Sequence, residues 1–356
     1  MTTRPPAVVG IFTGLLVVIS GLLSGCSINR SQPAALSTTS SPAHAVPEPT
    51  ANGSGASNVI KTPAHRLFLG IFVNSAGANG TADGGMKTYE QRAQFDASID
   101  RHIAIDLHYS KWTSPLASPS VLDDLNNDTI PLISWECGDT DASVASGHDD
   151  QLLTHEAKSI AALHKPVMIR WFWEMEFTGS NGGQQGARAA QCIGTGGPSG
   201  YVAAWRHIVD VFRANGATNV DWVFCPGQDA YAAGAVDKGR AASQFYPGNS
   251  YVDWIAEDAY SREIPTPLPS LVQGMYSEYG NSGKPLMVCE TGAEGSYQPA
   301  FLHSAEALPS EDPNLKALVY FDSHGPRGSY VLTSSGRAAF AQLAASPAFS
   351  SQPTEG

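Results

Sequence analysis

Short apolar runs alternate with longer amphipathic ones over residues 64–349, and this alternation narrows the possible folds more than any other feature. Eight runs read as strands: 67–73 (LFLGIFV), 102–107, 130–135 (IPLISW), 167–172, 220–224, 253–256, 286–289 and 317–321. Most are continuously apolar, as strands of a parallel sheet covered on both faces must be. Helical faces lie between them. Leu152, Leu153, Ala157, Ile160 and Ala161 recur near helical spacing. So do Tyr201, Trp205, Ile208, Val209 and Phe212, with Gly216 as a stop. Eight such units in a region of this length predict an α/β fold, a (β/α)8 TIM barrel in one domain. The glycine-rich stretch 178–200 follows the fourth strand and reads as a cleft loop on the C-terminal face of the barrel.

The segments outside the barrel have a different character. Arg4 precedes an apolar stretch over residues 8–23, and Leu23-Ser24-Gly25-Cys26 reads as a lipobox. Residues 1–25 are thus expected to be a lipoprotein signal peptide, with Cys26 carrying the lipid that holds the chain to the outer side of a bacterial cell membrane. Residues 26–63, rich in Ser, Pro, Ala and Thr, read as a flexible linker, and 350–356 as a flexible tail.

A formal charge of −12, without any basic run, excludes a nucleic-acid surface. Of the remaining cysteines, Cys137 and Cys192 lie in polar surroundings and are candidates to pair. Cys225 and Cys289 lie in apolar strands and read as buried thiols. The histidines lack metal-ligand spacing; His102, His108, His148 and His155 read as loop or surface residues. No metal, no other cofactor and no partner subunit is expected.

Two segments carry the chemistry. Residues 165–177 (KPVMIRWFWEMEF) and 284–295 (KPLMVCETGAEG) each place one Glu, Glu174 or Glu290, at the C-terminal end of an apolar strand. Two carboxylates at the ends of buried strands are what a retaining glycosidase requires, one to protonate the leaving oxygen and one to attack the anomeric carbon. Arg170 reads either as a clamp on a carboxylate or as a structural ion pair. Trp135, Trp173 and Tyr260 are candidate sugar platforms, with core packing as the competing reading. Glu136 and Asp258 are candidates to bind hydroxyls or other site groups.

In order and spacing, these motifs resemble glycoside hydrolase family 26, the β-mannanase family of clan A. Arg170-Trp171-Phe172-Trp173-Glu174-Met175 is similar to its fourth-strand motif, and residues 284–292 to its seventh. Residues 251–260 are similar to its sixth-strand segment, and 130–136 to a third strand ending in Trp-Glu. The resemblance implies that Glu174 is the general acid/base and Glu290 the nucleophile, with a β-linked polysaccharide, mannan-like or from the cell envelope, as substrate. Two departures touch the sugar-binding shell. Trp173 stands where the family has His, and Tyr320-Phe321-Asp322 where clan A often has Trp. A non-catalytic carbohydrate-binding lipoprotein on the same barrel is the alternative.

Overall fold

The computed structural model describes residues 59–74, 88–177 and 183–350. Contacts divide the chain into Met1–Asn52 and Gly53–Gly356, and every described residue belongs to the second unit. The expected signal peptide, Cys26, the part of the expected linker before Val59, and residues 351–356 lie outside the described residues.

Eight parallel strands follow one another in chain order: β1 (Leu67–Asn74), β2 (Ile105–Ser110), β3 (Ile130–Trp135), β4 (Val167–Trp171), β5 (Val220–Phe224), β6 (Trp254–Ser261), β7 (Leu286–Ala293) and β8 (Leu315–Gly325). Pairing of β1 with β8 closes the sheet, giving the (β/α)8 barrel. A short β9 (Gly328–Ser329) folds back antiparallel on β8, and β10 (Phe349–Ser350) adds beside β1. Helices α1 (Thr88–Ile99), α2 (Pro119–Asn126), α3 (Asp141–Ala145), α4 (Asp150–Ala161), α5 (Gly183–Ile193) and α6 (Gly197–Ala214) cover the first half.

Strand alternation divides the apolar residues into two cores. Phe68, Ile105, Leu107, Leu132, Met168, Val223, Ala256, Met287 and Val319 fill the barrel interior. Leu69, Ile133, Ile169, Trp222, Ile255, Val288 and Leu318 face the helices, together with Trp205 and Phe212 of α6. Chain-order parallel strands need this double burial, because both faces of the sheet are covered.

Several expectations need correction. The second strand begins at Ile105, because Ile103 packs outward under the helices while Asp100 makes a left-handed turn (φ 50°) after α1. The stretch 178–200 is not loop throughout: α5 occupies much of it and α6 starts at Gly197, while 178–182 lies outside the described residues. Cys192 on α5 is bonded to Cys137 after β3, and Cys225 and Cys289 are buried free thiols. His108 is not a surface residue. It faces the helix layer beside Asp106 and Asp124, where Arg92 of α1 puts its Nε 3.4 Å from an oxygen of each carboxylate. Ile60 and Ser350, expected in linker and tail, belong to the fold: Ile60 is buried in the barrel interior and Ser350 pairs with Phe68.

The Cys137–Cys192 bond closes a loop of 55 residues that contains α3, α4 and β4. Replacing both cysteines with serine is expected to lower the unfolding free energy by about 2–4 kcal/mol, read as a shift in the urea midpoint at unchanged slope.

Candidate active site

The strand ends at the C-terminal mouth of the barrel bring Arg170, Asp258, Tyr260 and Glu290 together, and a bulge in β7 makes this possible. Met287 and Cys289 point into the barrel, so strict alternation would send Glu290 out to the helices. The register instead steps from Glu257 opposite Val288 to Asp258 opposite Glu290, so Cys289 is the extra residue. A bulge re-aims the side chain that follows it, and Glu290 turns into the mouth.

Three donors meet its carboxylate. Tyr109 Oη donates to Oε1 at 2.5 Å, Tyr260 Oη donates to Oε2 at 2.5 Å, and an Arg170 Nη2–H donates to Oε1. Burial, reinforced by the charge of Glu290, pushes both phenols well above their ordinary range, so they remain donors. Arg170 is fully buried. Its Nη1 donates to both oxygens of Asp258 at 2.9 and 3.0 Å, and its Nε donates to Ser134 Oγ at 2.6 Å. The guanidinium therefore satisfies two carboxylates at once, which removes the choice between clamp and structural pair: it is both.

Glu174 sits at the end of the chain leaving β4, in a segment held under strain. Phe172 (φ 47°) and Glu174 (φ 51°) are both left-handed, a conformation costing of order 1–3 kcal/mol for a residue with a side chain. Backbone bonds hold them: Phe172 N–H donates to Trp135 O, and Glu174 N–H to Cys225 O, both at 2.9 Å. Behind them Glu176 is buried and accepts the Gly227 N–H at 2.8 Å. A Cβ at Gly227 would lie 2.8 Å from both that Glu176 oxygen and the Phe177 ring, so only glycine fits there.

Burial, and then the charge of Glu290, raise the Glu174 carboxyl to about 7, while Arg262, Arg170 and Arg327 pull it down. Arg262, just past β6, lies 5.4 Å from the Tyr260 ring and donates from Nε to Tyr330 Oη at 3.2 Å. Arg327, in the β8–β9 turn, lies 4.5 Å from the Phe177 ring, with Nη1 3.9 Å from Asp229.

The expected site residues do not all converge. Trp173 is in the mouth, its ring 5.1 Å from the Arg170 guanidinium and 5.3 Å from Tyr109. Trp135 is not: it is completely buried in the outer core, stacked at 4.4 Å on Trp112, with its indole N–H bonded to Trp112 O. Its position on β3 points it to the helices, so it offers no sugar platform. Glu136 pairs with Arg188 of α5 at 2.5 Å, beside the disulfide, and makes no contact with Glu290. Sequence reasoning missed Tyr109, Tyr330, Arg262 and Arg327. Tyr109 was within reach, being the next inward position after Ile105 and Leu107 once β2 is extended to Ser110.

Two buried groups bring metal-ligand types within 4.8 Å of each other, Cys225 with Asp258 and Cys289, and Asp106 with His108 and Asp124. In each a guanidinium, Arg170 or Arg92, already serves the carboxylates.

No protein-family model matches the chain. Over 151 residues, 42% of its length, it is 33% identical to Endoglucanase H of Acetivibrio thermocellus, and this match spans 15% of that larger protein. Among solved structures, it resembles a family 26 β-mannanase from Bacteroides ovatus (TM-score 0.55, 16% identity, 80% of this chain and 90% of that one). It also resembles a modular endo-β-1,4-mannanase from Cellulomonas fimi (0.56, 14%, 83% and 73%). A third is a β-mannanase from a symbiotic protist of the termite Reticulitermes speratus, solved with a gluco-manno-oligosaccharide (0.56, 13%, 84% and 97%). The fold is that of the family 26 β-mannanases.

If the charge of Glu290 helps hold the proton on Glu174, Glu290→Gln will lower the Glu174 midpoint. Carboxyl carbon NMR of wild type should place that midpoint near 7 and show a downward move in the variant.

Proposed function

We propose that this protein is a retaining glycoside hydrolase that cuts a β-linked polysaccharide of the mannan or glucan kind. The observation that carries the reading is the contrast between two carboxyls at one barrel mouth. Glu174 keeps its proton up to about pH 7, while Glu290 meets three donors. Separating two carboxyls by environment is how one site provides both an acid and a nucleophile. The barrel it shares with family 26 β-mannanases and the partial likeness to an endoglucanase support the substrate class.

Glu290 attacks the anomeric carbon as Glu174 gives its proton to the departing glycosidic oxygen, leaving a glycosyl ester on Glu290. Glu174, now a carboxylate, takes a proton from water. The water oxygen displaces Glu290 and restores the original anomeric configuration. Arg170, Tyr109 and Tyr260 fix the carboxylate of Glu290 so that little rearrangement accompanies attack. Asp258 acts through Arg170 as a positioning residue. Trp173, Tyr260, Phe321 and Tyr330 offer apolar surface to sugar rings around the mouth. The reaction needs no cofactor. The lipobox at Cys26 supports attachment to the outer side of the cell membrane.

The full-length chain, incubated with β-mannan, glucomannan, β-glucan and xylan, is expected to release oligosaccharides whose anomeric configuration, followed by proton NMR, is retained. Glu174→Ala and Glu290→Ala should each lower kcat by about 10²–10⁴ or more. The activity should fall above pH 7 as Glu174 loses its proton. Binding of these glycans without products, unchanged in either variant, would overturn the reading in favour of a sugar-binding protein.

A further inference from the structure

We propose that Gln228 is a substrate-binding residue, whose side-chain amide donates a hydrogen bond to a hydroxyl of the glycan lying in the mouth. This rests on the hydrolase reading above and adds a contact to its site.

The chain leaving β5, Cys225-Pro226-Gly227-Gln228, runs between the segment that carries Glu174 and the end of β6, and it is bonded to both. Toward Glu174, Cys225 O accepts the Glu174 N–H at 2.9 Å, and Gly227 N–H donates to Glu176 at 2.8 Å. Toward β6, Pro226 O accepts the Asp258 N–H at 3.1 Å, and Cys225 Sγ–H donates to Asp258 Oδ1 at 3.1 Å. Gln228 Oε1 accepts the Tyr260 N–H at 2.6 Å. Gln228 thus stands between the chain that holds one glutamate and the tyrosine whose phenol meets the other. Its bond to Tyr260 continues the sheet. β5 and β6 pair at Val223–Trp254 and Phe224–Ile255, and once more at Gly227–Asp258. Beyond that point the chain turns into a short 3-10 helix (Gln228–Tyr231), and the side chain of Gln228 supplies an acceptor for β6.

That bond decides which way the amide faces. A backbone N–H can be met only by the oxygen of a carboxamide, so Oε1 is turned to Tyr260 and the NH2 group away from it. The NH2 group carries two donors, and among the described residues Nε2 has no acceptor. Gln228 is half-buried, and Nε2 is not one of the buried polar atoms left without a partner, so solvent reaches it. The donors nearer the nucleophile are already spent. Arg170 serves Ser134, Asp258 and Glu290, and the phenols of Tyr109 and Tyr260 serve Glu290. The Gln228 amide is a donor that the fold orients and does not consume, which is what recognition of a hydroxyl-rich, neutral ligand requires.

Two variants separate the two ends of the amide. Gln228→Glu keeps an oxygen for the Tyr260 N–H and removes both donors, whereas Gln228→Met removes acceptor and donors at similar length. The full-length chains are assayed on β-1,4-linked manno- and gluco-oligosaccharides and on analogues singly deoxygenated at C2, C3 or C6. Wild type is expected to lose roughly tenfold in kcat/KM on one deoxy analogue relative to its parent. Gln228→Glu should lose roughly tenfold on the parent, treat that analogue and the parent alike, and keep the Tm of wild type. Gln228→Met should show the same loss and a lowered Tm. Gln228→Glu adds a charge and Gln228→Met does not, so agreement between them assigns the loss to the missing donors. Circular dichroism confirms that both variants are folded. Gln228→Glu with the kcat/KM of wild type, equal cleavage of every deoxy analogue by wild type, or discrimination that survives both variants overturns the inference and leaves Gln228 a strut for Tyr260. The hydrolase reading then still stands if cleavage of the parent disappears in Glu174→Ala. If no parent glycan is cleaved, both readings fall.

Discussion

The guanidinium of Arg170 organises the mouth of this barrel. A buried positive charge is tolerated where it is paired and its donors are used, and here Ser134, Asp258 and Glu290 take them from three different strands. Removing any partner would leave buried guanidinium N–H groups without an acceptor, so the positions of β3, β4, β6 and β7 at this end are mutually dependent. The Trp173 ring on the guanidinium and the Tyr109 ring 5.8 Å from it close the remaining sides. The packing that makes the barrel end rigid is the same packing that aims the carboxylate.

The two glutamates reach the mouth by different distortions of regular structure. Glu290 arrives through one extra residue in β7, and Glu174 through two left-handed residues after β4. Neither would face its partner on an undistorted strand. The compensation is local: carbonyls of Trp135 and Cys225 take the backbone N–H groups of the strained segment, and a glycine at 227 lets the next loop close against Glu176. Strain stored beside functional groups is a common mark of sites, and here it is confined to the segment that carries Glu174.

The barrel was legible because doubly buried strands leave an unambiguous apolar signature; β3 and β5 match the sequence reading residue for residue. Strand ends were not, since β2, β6, β7 and β8 run on into polar or small residues that periodicity alone reads as loop: His108 and Tyr109, Asp258 through Ser261, Thr291 through Ala293, Ser323 through Gly325. Those overrun residues are where the site is built. Glu174, Glu290, Arg170 and Tyr260 could be singled out because a charge or phenol in an apolar run stands out. For Trp135 the sequence left sugar platform and core packing both open, and the side of β3 on which it lies, shown by the structure, decides for core packing. Arg262 follows β6, and Arg327 and Tyr330 lie at and beyond the β8–β9 turn; their convergence on the mouth is a long-range outcome with no local sequence mark.

The opposite end of the barrel has its own lock. Asp221 accepts the N–H groups of Val59 and Ile60 and the Trp254 indole, and Ile60 caps the interior from below. Lys316 reaches the carbonyls of Pro63 and Ala64. The chain therefore enters the fold through its floor, at the far end of the strands from Glu174 and Glu290. The floor lock thus divides the labour of the barrel: contacts at one end of the strands fasten the first described residues, and the groups gathered at the other end are left free of that task.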